Sequence, residues 1–401
     1  MPKKGARIME LDHLKKLGFG TLHLPILDPK DQSSFDYAAL NREIDMFLDH
    51  GFTYFDTSYI YHDRKSEIAL RESLVKRHPR DSYILSDKLP VKFMNKKEDI
   101  ESIFNEQLGK CGVDHFDYYL LHSINSNAYD NINEWGAFDF LLKKKSEGFF
   151  RELGVSLHDR PEFLERVLRE HPEIDFVVLQ LNFVDWDNKM INSREIHHIA
   201  RKYDKPIVVM QPCKGGTLLN NLPEEAVRLM KEYAPEASIA SWALRFAASQ
   251  EGVRVVLSSY PEPWMLEENI STMENFKPLN EDEYRILDRV SEIIRENTAI
   301  PCSGCKYCVL ECPKHIPIDE YFALYNDAVR NAKSTYDSPF QSSSDIYYMN
   351  ISMNHGKAGD CIGCRRCERT CPQGLKITDY LKLVSARFDN FDLNSALKPK
   401  E

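Results

Sequence analysis

The chain reads as an α/β protein, a (β/α)8 barrel of the TIM type followed by a small, mainly helical, cysteine-rich domain. Three observations predict this. Between residues 15 and 272, short β-branched or aromatic runs alternate with longer stretches of helical period, the pattern of a parallel sheet wrapped in helices. Eight such runs occur, and eight βα units in about 250 residues match the size of a closed barrel. Eight of the ten cysteines then fall within 302–312 and 361–371. An open doubly wound sheet is the competing arrangement, but it needs fewer strands and a glycine-rich first turn. The first strand is followed by Gly18-Phe19-Gly20 with no GxGxxG.

The strands are expected at 17–22, 53–57, 83–87, 117–122, 151–156, 176–182, 206–211 and 253–258. Two helical patterns, 223–233 and 238–249, fill the long interval before the last of them. Residues 274–296 form an amphipathic pattern that turns from acidic to basic, with Leu279-Asn280-Glu281-Asp282 resembling a cap and first turn. The expected organisation is a barrel at 1–272, a linker helix at 273–298, a cysteine-rich domain at 299–389 and a frayed tail at 390–401. Within that second domain lie a helical pattern, 318–332, and a serine-rich polar segment, 334–345.

Composition excludes several classes. With 52 Lys and Arg against 62 Asp and Glu the net charge is −10, so no chain-wide basic field exists to draw nucleic acid or anionic lipid. Seventeen glycines and 20 prolines in 401 residues are far below a disordered composition. No apolar run is long enough to span a bilayer and the N-terminus lacks a signal-like apolar stretch, which points to a cytoplasmic protein without nucleic-acid or membrane partners. In that reducing compartment clustered thiols are metal ligands before they are disulfides.

A TIM barrel builds its site at the C-terminal ends of the strands. There the sequence offers an acid, Asp56, phenols at Tyr59 and Tyr61, an amine, Lys88, and an imidazole, His122. Each alone is ordinary, but four such groups on consecutive strands suit one reaction, the reduction of a carbonyl by hydride. A phenol of pKa about 10 gives up its proton reluctantly near neutrality, and a neighbouring cation eases that. Lys88 supplies the cation, Asp56 holds it, His122 donates to the carbonyl oxygen, and Tyr61 is the general acid.

These residues resemble the aldo-keto reductases, and within them the bacterial branch with a C-terminal iron–sulfur domain. Phe55-Asp56-Thr57-Ser58-Tyr59-Ile60-Tyr61 is similar to the family's DTAxxY, which selects Tyr61 over Tyr59, and Ser66-Glu67 to the SE that follows. The resemblance implies an Asp56, Tyr61, Lys88, His122 tetrad. It also implies that Ser156 of Arg151-Glu-Leu-Gly-Val-Ser156, together with Gln180, holds the nicotinamide carboxamide. Pro212 with Lys214-Gly215-Gly216 resembles the loop along the pyrophosphate, and Leu266-Glu-Glu268-Asn269-Ile270 the adenine-binding helix. Leu157 departs from an asparagine, and Met210 from an aromatic residue that stacks on the nicotinamide. NADP-preferring members carry a cation at the positions of Ser259 and Met265, so NAD(H) is expected in preference to NADP(H). Hydrogen bonds from Ser258, Ser259 and the helix N-terminus remain the alternative way to hold a 2′-phosphate.

Cys302-x2-Cys305-x2-Cys308-x3-Cys312-Pro313 and Cys361-x2-Cys364-x2-Cys367-x3-Cys371-Pro372 each have bacterial ferredoxin spacing. Three cysteines of such a motif hold one [4Fe-4S] cluster and the fourth reaches the other. One cluster thus takes Cys302, Cys305, Cys308 and Cys371, and the other Cys361, Cys364, Cys367 and Cys312. Structural zinc would use CxxC pairs instead. The long helical insert between the motifs suits the helical kind of two-cluster, ferredoxin-like domain. Cys111 and Cys213 stand alone and read as small buried hydrophobes or, for Cys213, a neighbour of the pyrophosphate loop.

The expected function is NAD(P)H-dependent reduction of a small-molecule carbonyl, or the reverse alcohol oxidation. Its rival is an electron-transfer or redox-sensing protein that binds nicotinamide without turning over a carbonyl. An electron-transfer partner fits either. No flavin motif occurs, so flavin stays unassigned.

Overall fold

The computed structural model describes residues 14–188, 191–220, 222–296, 299–302, 304, 306–331, 343–371 and 374–390. Cys305, most of the serine-rich segment and nearly all of the expected frayed tail lie outside them. Eight parallel strands close into a barrel: β1 Leu17–Gly20, β2 Tyr54–Asp56, β3 Ile84–Pro90, β4 Tyr118–Ile124, β5 Glu152–Leu157, β6 Phe176–Gln180, β7 Ile207–Met210 and β8 Val253–Ser258. The first strand pairs with both β2 and β8. Every expected strand is present, and β3 and β4 run longer than their hydrophobic patterns because they carry polar residues into the rim.

Strand parity decides what faces the barrel axis. Tyr54, Ile84, Tyr118, Leu120, Phe176, Val178, Val208, Val255 and Leu257 make one apolar cluster inside it. A residue two positions further along faces the same way, one layer nearer the C-terminal mouth. By this rule Tyr54 leads to Asp56, Leu120 to His122, Gly154 to Ser156 and Val178 to Gln180. Gly154 is required by that packing, since a Cβ there would lie 2.4 Å from the Phe176 ring. Gly18 meets the same limit, 2.7 Å from Val255.

The helix expected from 274 begins instead at Glu281 and ends at Glu296. Residue 274 belongs to the preceding helix, Pro263–Glu274, and the reciprocal bonds between Asn280 and Glu283 set the true start. Leu287, Val290, Ile293 and Ile294 of this segment share a core with Phe183, Met230, Trp242 and Phe246. The expected linker is therefore packed into the barrel wall. The second domain gathers helices Ile318–Asn331, Ser343–Ser352 and Ile377–Phe388 around Ile316, Tyr321, Phe322, Tyr348 and Leu381. Among the described residues no helix is long and apolar enough to cross a membrane.

One turn places Tyr61. The three residues after it, His62, Asp63 and Arg64, all have left-handed backbone, with φ of 49°, 50° and 66°. Such conformations cost about 1–2 kcal/mol each for residues with a Cβ. Side chains offset this. His62 accepts at Nε2 from the Leu24 N–H at 3.1 Å and donates from Nδ1 to the Gln32 carbonyl at 2.7 Å, which requires the neutral ring. Arg64 stacks over Tyr59 and Phe93.

Burial pushes the His62 pKa down to about 4, against a smaller upward pull from the Gln32 carbonyl. In the unfolded chain His62 takes a proton near pH 6.5, so between pH 6.5 and about 4 the unfolded state holds one more proton. Stability from the neutral ring is complete above pH 6.5 and falls as pH drops through that window. Chemical denaturation at stepped pH should show wild type losing about 3 kcal/mol there that His62→Gln does not lose. Parallel profiles would show that the ring is not held neutral.

Candidate active site and cysteine centre

Lys88 lies at the heart of the barrel mouth, with only 3% of its surface exposed. Its Nζ donates to Asp56 Oδ2 at 2.5 Å and to the Thr57 carbonyl at 2.5 Å. It also stands 5.0 Å from the centre of the Tyr61 ring. Burial would lower the Lys88 pKa, but Asp56 and Tyr61 outweigh it and hold it above the ordinary value, so the ammonium stays charged. Tyr61 keeps some exposure toward the mouth, yet the protein packed about its hydroxyl pushes its pKa above that of a free phenol. Lys88 opposes this shift without reversing it.

His122 meets Tyr61 edge-on, with ring centres 6.0 Å apart. Its Nδ1 lies 2.9 Å from Ser58 Oγ. When Ser58 donates there, the ring hydrogen sits on Nε2. The structure thus brings Asp56, Tyr61, Lys88 and His122 together. Tyr59, the other phenol, turns away to Glu106 at 3.1 Å.

The residues expected to hold a coenzyme spread along β5 to β8. Ser156 accepts at Oγ from the Ser123 N–H at 2.8 Å, so its own hydroxyl hydrogen is what it has to give. Gln180 is buried and its Nε2 donates to Asp185 Oδ2 at 2.8 Å, while Oε1 has no hydrogen-bond partner in the structure. A buried amide oxygen without a donor fits the role of receiving one from a ligand carboxamide. Met210 lines the barrel interior. Gly215 and Gly216 have φ of 64° and 86°, a curved backbone that suits an anion.

Lys214 differs from its expected role. Its ammonium faces inward to Asp185 and, at 2.7 Å, to Asp327 of the second domain. At the β8 end Asn269 donates to Ser258 Oγ at 3.1 Å, Met265 packs against the barrel core, and burial raises the Glu268 pKa. Ser259 lies close to Gly20, whose added Cβ would be 3.2 Å from the serine hydroxyl.

Sequence reasoning missed several partners: the Thr57 carbonyl, Ser58, Asp185, Asp327 and the outward-facing Asp87. The last is fully buried beside Cys111, and burial first, then Glu67, pushes its carboxyl well above the usual range. Asp87 stands between Ser86 and Lys88 and Asp327 follows Asn326, so neither is marked out from its polar neighbours in the sequence. Cys213 has its thiol pushed up to about 12, mainly by burial.

The second domain sits on the C-terminal rim of the barrel. Arg160, after β5, pairs with Glu320 at 2.5 and 2.6 Å. Asn127, after β4, donates to the Asn350 carbonyl at 2.8 Å, and His158 meets the Tyr347 ring edge-on.

Whether the cysteines suit cubane clusters can be tested on the backbone. In the first motif Gly304, Lys306 and His315 are left-handed, with φ of 67°, 67° and 52°. In the second the equivalent Gly363, Arg365 and Gly374 have φ of 68°, 55° and 62°. The same three bends recur at the same distance from the first cysteine or the last. The Gly304 N–H points at the Cys302 sulfur, 3.4 Å away, as amides do around thiolates. Cys302, Cys308, Cys312, Cys361, Cys367 and Cys371 border one apolar core, and Cys364 is exposed. The Cys367 thiol is pushed up to about 11, first by burial, then by Cys361 and Glu368 and also by Cys312 of the other motif. No three such side chains among the described residues converge on a single ion, and thiolates around the corners of a cubane need not. The residues fit the group.

The Aldo/keto reductase family matches residues 16–292, and a 4Fe-4S dicluster domain matches 301–377. The uncharacterized oxidoreductase YqkF of Bacillus subtilis (strain 168) is 24% identical over 313 residues, 72% of this chain and 95% of its own length. The holo form of aldo-keto reductase AKR11C1 from Bacillus halodurans has a TM-score of 0.55 at 22% identity, covering 69% of this chain and 91% of that one. An aldo-keto reductase from Klebsiella pneumoniae in complex with NADPH has a TM-score of 0.55 at 20% identity, covering 69% and 91%. At these identities the solved structures speak to the barrel fold. The family match, spanning more than half of the chain, shows that this oxidoreductase belongs to the aldo/keto reductase family and carries a 4Fe-4S dicluster domain behind its barrel.

Proposed function

We propose that the chain is an NAD(P)H-dependent reductase of a small carbonyl compound, able to run in reverse on the alcohol, with Tyr61 as general acid. The observation that carries this reading is the Lys88 ammonium, held against Asp56 and 5.0 Å from the Tyr61 ring centre at the barrel mouth. The bound coenzyme supplies the hydride. Tyr61 gives its proton to the carbonyl oxygen, and Lys88 stabilises the phenolate that remains. His122 donates from Nε2 to the same oxygen as charge builds on it. Ser156 and Gln180 would hold the carboxamide, Gly215 and Gly216 the pyrophosphate, and Ser259, Met265, Glu268 and Asn269 the adenosine end.

Because the Tyr61 pKa stands above that of a free phenol, the donor is protonated throughout the neutral range. Reduction should hold level there and fall only on the alkaline side, while alcohol oxidation rises with pH. Tyr61→Phe should lower kcat for reduction by at least ~100-fold with coenzyme affinity nearly unchanged, and Lys88→Met should do comparable damage. Steady-state kinetics on a carbonyl panel checks this, and wild-type turnover by either variant contradicts the mechanism.

Preference for NAD(H) over NADP(H) is part of the same proposal. Met265 packs on the core and Ser259 is neutral, so neither offers the charge a 2′-phosphate draws. Titration of both reduced coenzymes should give NADH a dissociation constant no higher than that of NADPH, with Met265→Arg shifting the balance toward NADPH. An NADPH constant tenfold lower in wild type, a difference of ~1.4 kcal/mol, would show the phosphate site lies elsewhere.

In the second domain we assign two [4Fe-4S] clusters with crossed ligation, which the electrostatic reach of Cys312 to Cys367 supports. They would exchange single electrons with a partner, and the cytoplasm is the compartment that keeps such thiols reduced. Anaerobic protein should hold close to eight irons and eight acid-labile sulfides with negligible zinc. Cys312→Ser should disturb the cluster of the second motif, read by electron paramagnetic resonance. Loss confined to the first motif's cluster would disprove the crossing.

A further inference from the structure

Lys214 joins the barrel to the cluster domain through buried charge. Its ammonium, on a residue 4% exposed, touches Asp185 of the barrel and Asp327 of helix Ile318–Asn331, which are 0% and 1% exposed. Asp185 also accepts from Gln180 at 2.8 Å and from Asn182 at 2.7 Å. On the other side Ser344 donates its hydroxyl to Asp327. An unbroken set of buried polar contacts therefore runs from Gln180 at the barrel mouth, through Asp185 and Lys214, into the cluster domain.

Two properties of this set bear on ligand binding. An amide side chain can point either way, and a carboxylate only accepts, so Asp185 fixes the Gln180 NH2 toward itself and leaves Oε1 as the acceptor. The loop after β7 is also bent against its preference. Gln211 and Lys214 have φ of 59° and 51°, followed by 64° and 86° at Gly215 and Gly216. Left-handed backbone at residues with a Cβ persists only where other contacts hold it. Here the contacts are the Lys214 side chain, pinned between two carboxylates, and Asn182, which donates to the Gln211 carbonyl at 3.2 Å. Burial alone would lower its pKa, and Asp185 and Asp327 reverse that. With one carboxylate removed, the ammonium keeps a single buried counter-charge, a weaker offset to its desolvation.

We propose that the cluster domain is part of the coenzyme-binding machinery: Asp327 acts as a positioning residue that, through Lys214, holds the 211–216 loop and the Gln180 amide in the form that receives nicotinamide coenzyme. This rests on the reading that the coenzyme lies along Gln180 and the 214–216 backbone. It makes the second domain a working part of the barrel's site as well as a carrier of clusters.

The test is a set of coenzyme titrations on full-length, cluster-loaded protein, with NADH and NADPH as probes and binding read by protein fluorescence. Asp327→Asn should weaken binding of the preferred coenzyme by at least tenfold with iron content unchanged. In a Lys214→Met background the same substitution should change affinity less than twofold, because its route is gone. Glu320→Gln, which breaks the separate domain contact to Arg160, should leave affinity within twofold of wild type. If Asp327→Asn loses iron, Ser344→Ala removes only the hydroxyl that orients Asp327 and should weaken binding about threefold. Wild-type affinity in Asp327→Asn, or its full effect persisting without Lys214, overturns the proposal while leaving the reductase reading intact. Failure of the wild-type protein to bind either coenzyme overturns both.

Discussion

A lysine ammonium buried at the barrel mouth is the constraint from which the rest of the site follows. Removing such a charge from water costs several kcal/mol, recovered only by well-placed carboxylate and carbonyl oxygens. Asp56 and the Thr57 carbonyl provide them at the end of the neighbouring strand. They are in place because β2 and β3 pair with Asp56 beside Ser86, two residues before Lys88. Parity then turns both side chains to the axis. Tyr61 is brought to the same point by a turn that no run of ordinary residues would adopt unaided, and the neutral ring of His62 ties that turn down. Charge, strand register and strained turn form one unit.

Much of this was legible in the sequence because it follows from period-two alternation and from spacing. All eight strands, the tetrad at their ends and the paired cysteine motifs are local patterns. What escaped depends on contacts between distant segments. Nothing near Asp185 marks it as the partner of Gln180 and Lys214, and Asp327 sits in an otherwise well-formed helix 142 residues further on. Lys214 shows the limit most clearly. Its place in a glycine-bearing loop suggests a phosphate ligand, yet its charge is directed into the protein by two acids that local reading cannot see. The start of the helix Glu281–Glu296 and its packing escape local reading for a similar reason. Only packing against Phe183 and Trp242 makes it part of the barrel.

Joining a barrel to a cluster domain at the rim has a physical logic. Loops after β4, β5 and β7 all meet the second domain, so the open end of the barrel is braced by a separate hydrophobic core. Most of these contacts are polar and specific, and Ile191, after β6, adds an apolar one to the second domain's core. Such an interface fixes geometry more than it adds stability, which suits a site where small displacements matter.

The six left-handed residues that recur around the two cysteine motifs carry one more consequence. Four of the six positions are shared as glycine or a basic residue at matching places, but the first motif ends its pattern on His315 where the second has Gly374. A histidine resists that conformation and a glycine does not. The two loops are therefore unequal before any iron arrives: the second can relax and reclose at little cost, while the first depends more on its ligands to stay bent. In the crossed assignment that strained bend follows Cys312, the cysteine that reaches across to the second motif, so the costlier loop is the one that ties the two halves together.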